Sequence, residues 1–208
     1  MARHVRRPKQ QRSEQTLARI LAAAEALLYE RGAVDIPVRD ICERAETSPS
    51  SFYARFPDKS ALLHSLLDRL CERVFDRIDA LRAPLPGEDF AGFVKRAIET
   101  LQLLFRRERR LDQALGLAAE SDEKLLARRR WLDSQIKARA FAVATERFPE
   151  LDWKRIEERV EDGLPIIAAA FRGGVEAPGD LGLEDTSAQQ KVVRDLSALI
   201  LRFAEGED

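Results

Sequence analysis

The sequence contains few of the residues that carry metal or nucleophilic chemistry. Its 208 residues include two cysteines and two histidines. Cys42 and Cys71 have no neighbouring histidine or cysteine, which disfavours a zinc site and a disulfide framework. His4 and His64 accompany no Ser-His-Asp order, and no glycine-rich phosphate loop is present, so an enzyme is disfavoured. We therefore expect no metal site, no cofactor and no catalytic residue.

Long apolar runs are absent as well. No stretch reaches membrane-spanning length, and the opening residues, MARHVRRPKQQR, lack the apolar segment of a secretory signal. Isolated thiols are typical of a reducing compartment. We therefore expect an intracellular, cytoplasmic protein without a membrane partner.

The alternation of apolar and polar residues that marks a strand is not sustained anywhere. Apolar residues make up 45% and charged residues 34% of a chain with few glycines and prolines, which is typical of a helical protein. Helical spacing predicts an all-α fold of about nine helices. The longer helices are predicted up to Arg31 and over Ser60–Arg82, Phe90–Arg110, residues 121–148, Leu151–Gly173 (kinked at Pro165) and Thr186–Ala204, with a separate short segment at Leu111–Ala119.

Charge is unevenly distributed along the chain. The formal net charge is −1, but residues 1–60 hold eleven Lys/Arg against eight Asp/Glu, which is +3 and leaves −4 for the remainder. A basic arm at the start would attract phosphate, and a solvated terminus is the alternative. Arg6, Arg7 and Arg12 are the arm residues expected to track a minor groove or the backbone.

Residues 38–59 have the spacing of two short helices joined by a turn. Val38, Ile41 and Ala45 lie on one helical face, and the polar run from Thr47 to Ser51 then interrupts the pattern. Pro37 marks the start of the first helix; Ser48 as N-cap and Pro49 mark the start of the second. This layout is the helix-turn-helix, whose second helix can lie in a DNA major groove, although two short helices in a small core would give a similar pattern.

Residues 13–63 resemble the tetracycline-repressor-like (TetR) family of transcriptional regulators. The resemblance rests on Glu30-Arg31-Gly32, Val38 to Ala45, Ser48 to Tyr53, and the closing run Phe56-Pro57-Asp58-Lys59-Ser60-Ala61-Leu62. After the basic arm at 1–12, it implies a helix-turn-helix DNA-binding domain at 13–58 and a helical ligand-binding and dimerisation domain at 59–208. It also implies a homodimeric repressor of a near-palindromic double-stranded DNA operator, released by a small-molecule effector, although activation is not excluded.

Three positions depart from the family pattern. The family commonly has glycine at the position of Glu46, where the turn favours a positive φ, so either Glu46 bears strain or the turn differs. Pro37 stands where a capping threonine is usual. Cys42 replaces an alanine and is expected to be a small buried hydrophobe.

Short polar side chains on the second helix are the expected DNA-reading groups. Hydroxyls and the helix N-terminus can reach phosphates or base edges. Arg55 is long enough for a bidentate contact with guanine. The hydroxyl residues are Thr47, Ser48, Ser50 and Ser51.

Three further residues are expected at the DNA backbone. The resemblance implies that the Tyr53 hydroxyl donates to a phosphate, with a core aromatic as the alternative. Lys59 lies near a helix N-terminus, where its charge and the helix dipole both favour phosphate. Arg39 is a weaker phosphate candidate that is otherwise solvated.

The resemblance places the dimer interface on the last two long helices, with intramolecular core as the alternative. Its predicted residues are Leu164, Ile167, Ala170, Phe171, Val193, Leu196, Ile200 and Phe203.

It places the effector pocket between the middle helices, where large apolar residues can equally be plain core. The predicted lining is Phe105, Leu115, Trp131, Gln135 and Phe171. Arginines at 106–110 and 128–130 suggest an anionic effector such as an acyl-CoA, or basic faces paired with Glu108, Glu120 or Glu123. The rival function is a helical ligand-sensing or interaction protein without DNA binding.

Overall fold

The described residues are helical apart from short connections. The computed structural model describes residues 8–31 and 36–158, together with 194–195, 197–198 and 200–202. The helices are α1 (Pro8–Arg31), α2 (Val38–Arg44), α3 (Pro49–Tyr53), α4 (Lys59–Asp79), α5 (Phe90–Ala119) and α6 (Glu123–Arg147), with a 3-10 turn at Ala80–Arg82. Residues 153–158 are also helical. None of these residues forms a strand, and the all-α prediction is confirmed.

The buried face of α1 is built from apolar residues at helical spacing. Ile20, Ala24, Leu27 and Leu28 are at most 4% exposed, because their spacing keeps them on one side of the helix. Leu17 lies on the same side of the helix, one turn before Ile20, and is 36% exposed. Residues 12–15, in the turn before it, are exposed as well, so the apolar contact of α1 does not continue through this turn.

The prediction of a separate segment at Leu111–Ala119 is wrong. Helix α5 continues without a break from Phe90 to Ala119. Leu111, Ala114, Leu115 and Ala119 are all buried, so they extend one apolar face by two turns beyond the arginine cluster. A run of charged residues does not end a helix when the apolar face continues on the other side.

The described residues fall into two compact units. The first lies within residues 1–72 and 108–132, and the second within 73–107 and 133–208. The limits fall inside α4, α5 and α6, so each of these helices contributes to both units. The domain boundary after residue 58 stays a prediction.

The core of the first unit gathers the helix-turn-helix around two aliphatic helices. Ile20 from α1, Ile41 from α2, Phe52 from α3 and Leu66 from α4 are at most 1% exposed. Truncating a buried phenylalanine to alanine typically costs about 3–5 kcal/mol, so Phe52 is a principal anchor of α3.

In the second unit, two arginines pair with one buried carboxylate beside an aromatic cluster. Arg96 donates to Glu88 at 2.6 and 2.8 Å, and Arg147 donates to the same carboxylate at 2.9 Å. These hydrogen bonds hold the pKa of Glu88 down to about 2. Nearby, the Phe93 and Phe148 rings are 5.3 Å apart between centroids. The loop between α4 and α5, which carries Glu88, is thereby fixed to α5 through Arg96 and to α6 through Arg147.

The remaining predictions for the C-terminal part fall mostly beyond the described residues. Pro165, the loop after Gly173 and most of the predicted helices Leu151–Gly173 and Thr186–Ala204 lie outside them. Within the described ranges, no helix has an apolar stretch long enough to traverse a lipid bilayer.

Candidate nucleic-acid interface

The turn between α2 and α3 is built on a strained residue. Glu46 has a φ of 49°, the left-handed conformation that normally favours glycine. The Glu46 amide donates to the carbonyl of Glu43 at 3.1 Å, and the Thr47 amide donates to the carbonyl of Cys42 at 2.9 Å. This pair of hydrogen bonds defines a Schellman ending for α2. The turn therefore keeps the geometry of a glycine turn, and Glu46 bears the strain.

Helix α3 begins at the predicted cap. The Ser48 hydroxyl accepts from the Ser51 amide at 3.2 Å, and Pro49 occupies the first turn. The same hydroxyl lies 2.8 Å from that of Ser50. The Ser48 oxygen is therefore used in holding the helix start, and the helix is fixed before any ligand arrives.

The two sides of α3 differ sharply. Phe52 is fully buried and Phe56 is 3% exposed, so both are core residues. Tyr53 is 54% exposed, with its ring edge-on to that of Phe52 at 5.3 Å between centroids. Tyr53 is therefore not a core aromatic. Ser50 is exposed beside it, whereas Thr47 is half-buried.

Arg55 lies just after α3, and its side chain folds back onto that helix. Its Nη1 donates to the carbonyl of Ser51 at 2.7 Å, and its Nη2 donates to the Ser13 hydroxyl of α1 at 3.3 Å. Its Nε is buried and has no hydrogen-bond partner among the described groups. The guanidinium, which the sequence suggests for guanine, is thus engaged inside the protein.

The start of α4 is capped by a neighbouring carboxylate. Asp58 accepts from the Ala61 amide at 2.8 Å. Lys59 is the first residue of α4 and is half-buried. Asp58 therefore occupies one of the amides of this terminus, and its carboxylate lies next in sequence to the Lys59 that is expected at phosphate.

Helix α2 is held to the end of α1 by two ion pairs. Arg44 donates to both oxygens of Glu30 at 2.5 and 2.6 Å, which lowers the pKa of that carboxyl. Arg31, also at the end of α1, pairs with Asp40, which lies one turn before Arg44 on α2. Arg39, directly before Asp40 on α2, is exposed. Two pairs with different partners fix the rotation of α2, and with it the position of the turn.

The predictions for Pro37 and for the arginines of the basic arm have different outcomes. Pro37 is the N-cap of α2, with extended backbone and no side-chain hydrogen bond, rather than the first helical residue. Its carbonyl still accepts from the amides of Asp40 and Ile41. Arg12 is exposed on α1, whereas Arg6 and Arg7 lie outside the described residues.

The residues suggested for an effector pocket lie in both units. Leu115 is fully buried and Trp131 is 38% exposed in the first unit. Phe105 and Gln135 are half-buried in the second. Phe171 lies outside the described residues. A pocket lined by these side chains stays a prediction.

The arginines suggested for an anionic effector hold helices together. Arg129 pairs with Asp112 at 2.9 Å, and Arg128 pairs with Asp68 at 3.0 Å while stacking on Trp131. Arg128 and Arg129 thus take part in ion pairs within the protein, and the partners seen here, Asp68 and Asp112, are not the glutamates named in the alternative.

A second junction ties α5 to the end of α1. Arg110 donates to the carbonyl of Tyr29, at the last turn of α1. The Tyr29 hydroxyl donates to Glu108, which is 2% exposed. Sequence reasoning missed this junction, because its members are about 80 residues apart.

Nearly all of the predicted dimer-interface residues fall outside the described part. Ile200 is the exception and is half-buried in a helical segment. The others are Leu164, Ile167, Ala170, Phe171, Val193, Leu196 and Phe203.

The comparisons with known proteins concern the same N-terminal helices. Residues 20–66 match the family model described as bacterial regulatory proteins, tetR family. The chain is 49% identical over 51 residues to the HTH-type transcriptional regulator EthR of Mycobacterium tuberculosis, which is 24% of each chain. It is 38% identical over 68 residues to the HTH-type transcriptional regulator TtgR of Pseudomonas putida, covering 33% of this chain and 32% of TtgR.

The fold extends the likeness beyond these helices. A candidate TetR-family transcriptional regulator from Mesorhizobium loti superposes with a TM-score of 0.68 at 16% identity, over 92% of this chain and 96% of that one. At this identity the likeness concerns the fold. In sequence, the chain spans about a quarter of the length of EthR and about a third of TtgR. Residues 20–66 therefore match the tetR family of bacterial regulatory proteins, and over the rest of the chain the likeness is one of fold.

Proposed function

We propose that the chain is a DNA-binding transcriptional regulator, acting as a homodimeric repressor that a small molecule releases from a near-palindromic operator. The observation that carries the proposal is the two-sided character of α3. Phe52 anchors one side, while Ser50 and Tyr53 stand exposed on the other. A helix anchored in this way can enter the major groove with its polar side toward the bases.

Charged and polar groups around α3 support contact with the DNA backbone. Lys59 begins α4, and Arg39 is exposed on α2. The Tyr53 hydroxyl can donate to a phosphate oxygen, since most of its ring lies outside the core. Such contacts fix the register of the protein on the duplex without reading sequence.

A dimer is proposed because one reading unit contacts a short stretch of DNA. Two units related by a two-fold axis read two half-sites, and this arrangement matches a near-palindromic operator. Release follows if the effector binds more tightly to the arrangement of reading units that does not fit the operator. The effector can shift the equilibrium only through this difference in affinity.

A salt-dependent gel shift with DNA from upstream of the chain's own gene tests DNA binding. We expect wild-type protein to retard this DNA at low salt. Tyr53→Phe should weaken binding by about two- to tenfold, the net value of one hydrogen bond. Lys59→Ala should reduce the slope of log K against log salt by about one.

Lys95→Ala is the matched control for the loss of a positive charge. Lys95 lies on α5 in the second unit, where it pairs with Glu99 at 3.9 Å. Its substitution should leave the affinity and the salt slope unchanged. Absence of retardation at low salt, or an unchanged affinity in the Tyr53→Ala, Lys59→Ala double variant, would support the rival function, a helical sensing or interaction protein.

A further inference from the structure

At the C-terminal end of α3, the carbonyl of Ser51 accepts no hydrogen bond from the amides that follow the helix. The Ala54 amide donates to Ser50, and the amides of Arg55 and Phe56 both donate to Phe52. The carbonyl of Ser51 receives the Nη1 of Arg55 at 2.7 Å instead. An arginine at this point satisfies an open helix carbonyl and complements the negative end of the helix dipole.

The same guanidinium reaches the first turns of α1. Its Nη2 donates to Ser13, which lies seven residues before Ile20 and therefore two turns along the same buried face. Leu17, between them, is already 36% exposed. The apolar contact that holds α1 has ended here, and the hydrogen bond from Arg55 takes its place.

Arg12 is the side chain that this contact would orient. It precedes Ser13 by one residue, and so lies roughly 100° around the helix from the held face. Its side chain is exposed. Fixing Ser13 against the end of α3 therefore fixes the direction from which Arg12 approaches a duplex held on α3.

We propose that Arg55 is a positioning residue that fixes the first turns of α1 against the recognition helix, so that Arg12 meets the DNA backbone, and that Arg55 does not itself read a base. This inference rests on the proposed function and assigns Arg55 a different part in it. Both hydrogen bonds of Arg55 would have to break before its fork could reach guanine.

The test compares single and double variants on an operator selected from random DNA with the wild-type protein. The variants are Arg55→Ala, Ser13→Ala and Arg12→Ala, together with the doubles that combine Arg55→Ala with each of the others. Circular dichroism confirms that each is folded. Affinity is measured at several salt concentrations, and the selection is repeated with Arg55→Ala.

We expect Ser13→Ala and Arg55→Ala each to weaken operator binding by about two- to tenfold, with no further loss in the double variant, because both remove the same contact. Arg12→Ala and Arg55→Ala should each lower the salt slope by about one. The double variant of Arg12→Ala and Arg55→Ala should also lower the salt slope by about one, since only one phosphate contact is lost. The sequence selected by Arg55→Ala should be the wild-type sequence.

Ser65→Ala is the matched control for Ser13→Ala. The Ser65 hydroxyl donates to the carbonyl of Ala61 within α4 at 3.1 Å, so its loss breaks no contact between helices. Its DNA affinity should equal that of the wild type. If Arg55→Ala does not fold, the double variant of Ser13→Ala and Arg12→Ala is added and completes the cycle with these two singles, because Ser13 is exposed and its truncation leaves the core intact.

Three results would overturn the inference alone. In the first, Arg55→Ala selects operators that have lost a guanine, which makes Arg55 a base reader. In the second, the salt slopes of Arg12→Ala and Arg55→Ala add, which gives Arg55 a phosphate of its own. In the third, Ser13→Ala binds like the wild type. A wild-type protein that enriches no sequence and binds no DNA at low salt overturns the proposed function itself.

Discussion

Replacing Glu46 by glycine should stabilise the protein. Glu46 has a φ of 49°, a conformation that costs an L-residue roughly 1–2 kcal/mol and costs glycine nothing. The Schellman hydrogen bonds of the turn are made by backbone groups, so Glu46→Gly retains them. Relief of strain is therefore not offset by a lost contact.

The expected gain is smaller than the strain, because glycine also makes the unfolded chain more flexible. This entropy costs roughly 0.5–1 kcal/mol, which leaves a net gain of about 0.5–1 kcal/mol. For a chain of this length, 1 kcal/mol corresponds to a rise in Tm of about 2–4 °C. The Thr47 amide, which closes the turn, should exchange with solvent about two- to fivefold more slowly.

Thermal melting by circular dichroism and hydrogen exchange at the Thr47 amide measure these effects. Glu46→Asn should give part of the gain, since asparagine tolerates the left-handed region. Glu46→Ala removes the same charge but keeps a Cβ, so it should give none. Glu43→Gly, three residues earlier in α2, should instead cost about 1 kcal/mol.

These variants separate strain from charge. If Glu46→Ala stabilises the protein as much as Glu46→Gly, the gain comes from removing the negative charge of Glu46 and not from relieving its backbone strain. If Glu46→Gly lowers Tm, the Glu46 side chain makes a stabilising contact that outweighs the strain, and the prediction is refuted.

Two further predictions concern acid stability and thiol reactivity. Arg96 and Arg147 hold the pKa of Glu88 at about 2, below its ordinary 4.5. Above pH 4.5 this carboxylate should therefore contribute up to about 3 kcal/mol to the free energy of unfolding, and the contribution should be lost as pH falls toward 2. The difference in unfolding free energy between wild type and Glu88→Gln should shrink over that pH range, and a constant difference would contradict the prediction. Burial raises the pKa of Cys42 and of Cys71, so both thiols should react with a thiol reagent only on unfolding, and a fast-reacting thiol in the folded protein would refute this.

Local signals in the sequence were sufficient for the elements of the reading unit. Ser48 followed by Pro49 specifies a helix start through one side-chain oxygen and one fixed φ, and both act within four residues. The positive φ at Glu46 was expected for a different reason, namely that the family commonly has glycine at this position. The buried face of α1 follows from spacing alone, because hydrophobic burial depends on which side of the helix a residue lies.

The break placed before Leu111 shows the limit of composition as a signal. A cluster of arginines looks like the end of a helix, but Arg106 and Arg107 are simply exposed, while Leu111 and Leu115 continue the buried face. Asp58 shows a missed local signal. An aspartate directly before Lys59 is a standard N-cap, and its use of the Ala61 amide changes what Lys59 can do at that terminus.

The position of Arg55 could not be predicted, because the same side chain fits two opposite roles. The length that would let it reach guanine also lets it fold back by one helical turn to an open carbonyl, and only the placement of Ser13 decides between them. With Arg55 engaged, the exposed residues of α3 have short side chains or, at Tyr53, a single hydroxyl. None of these can make the bidentate contact that discriminates guanine, so base discrimination by α3 would rest on hydroxyl and apolar contacts. The protein would then gain much of its affinity from backbone contacts, and the accuracy with which α1, α2 and α4 are held around α3 becomes the main determinant of binding.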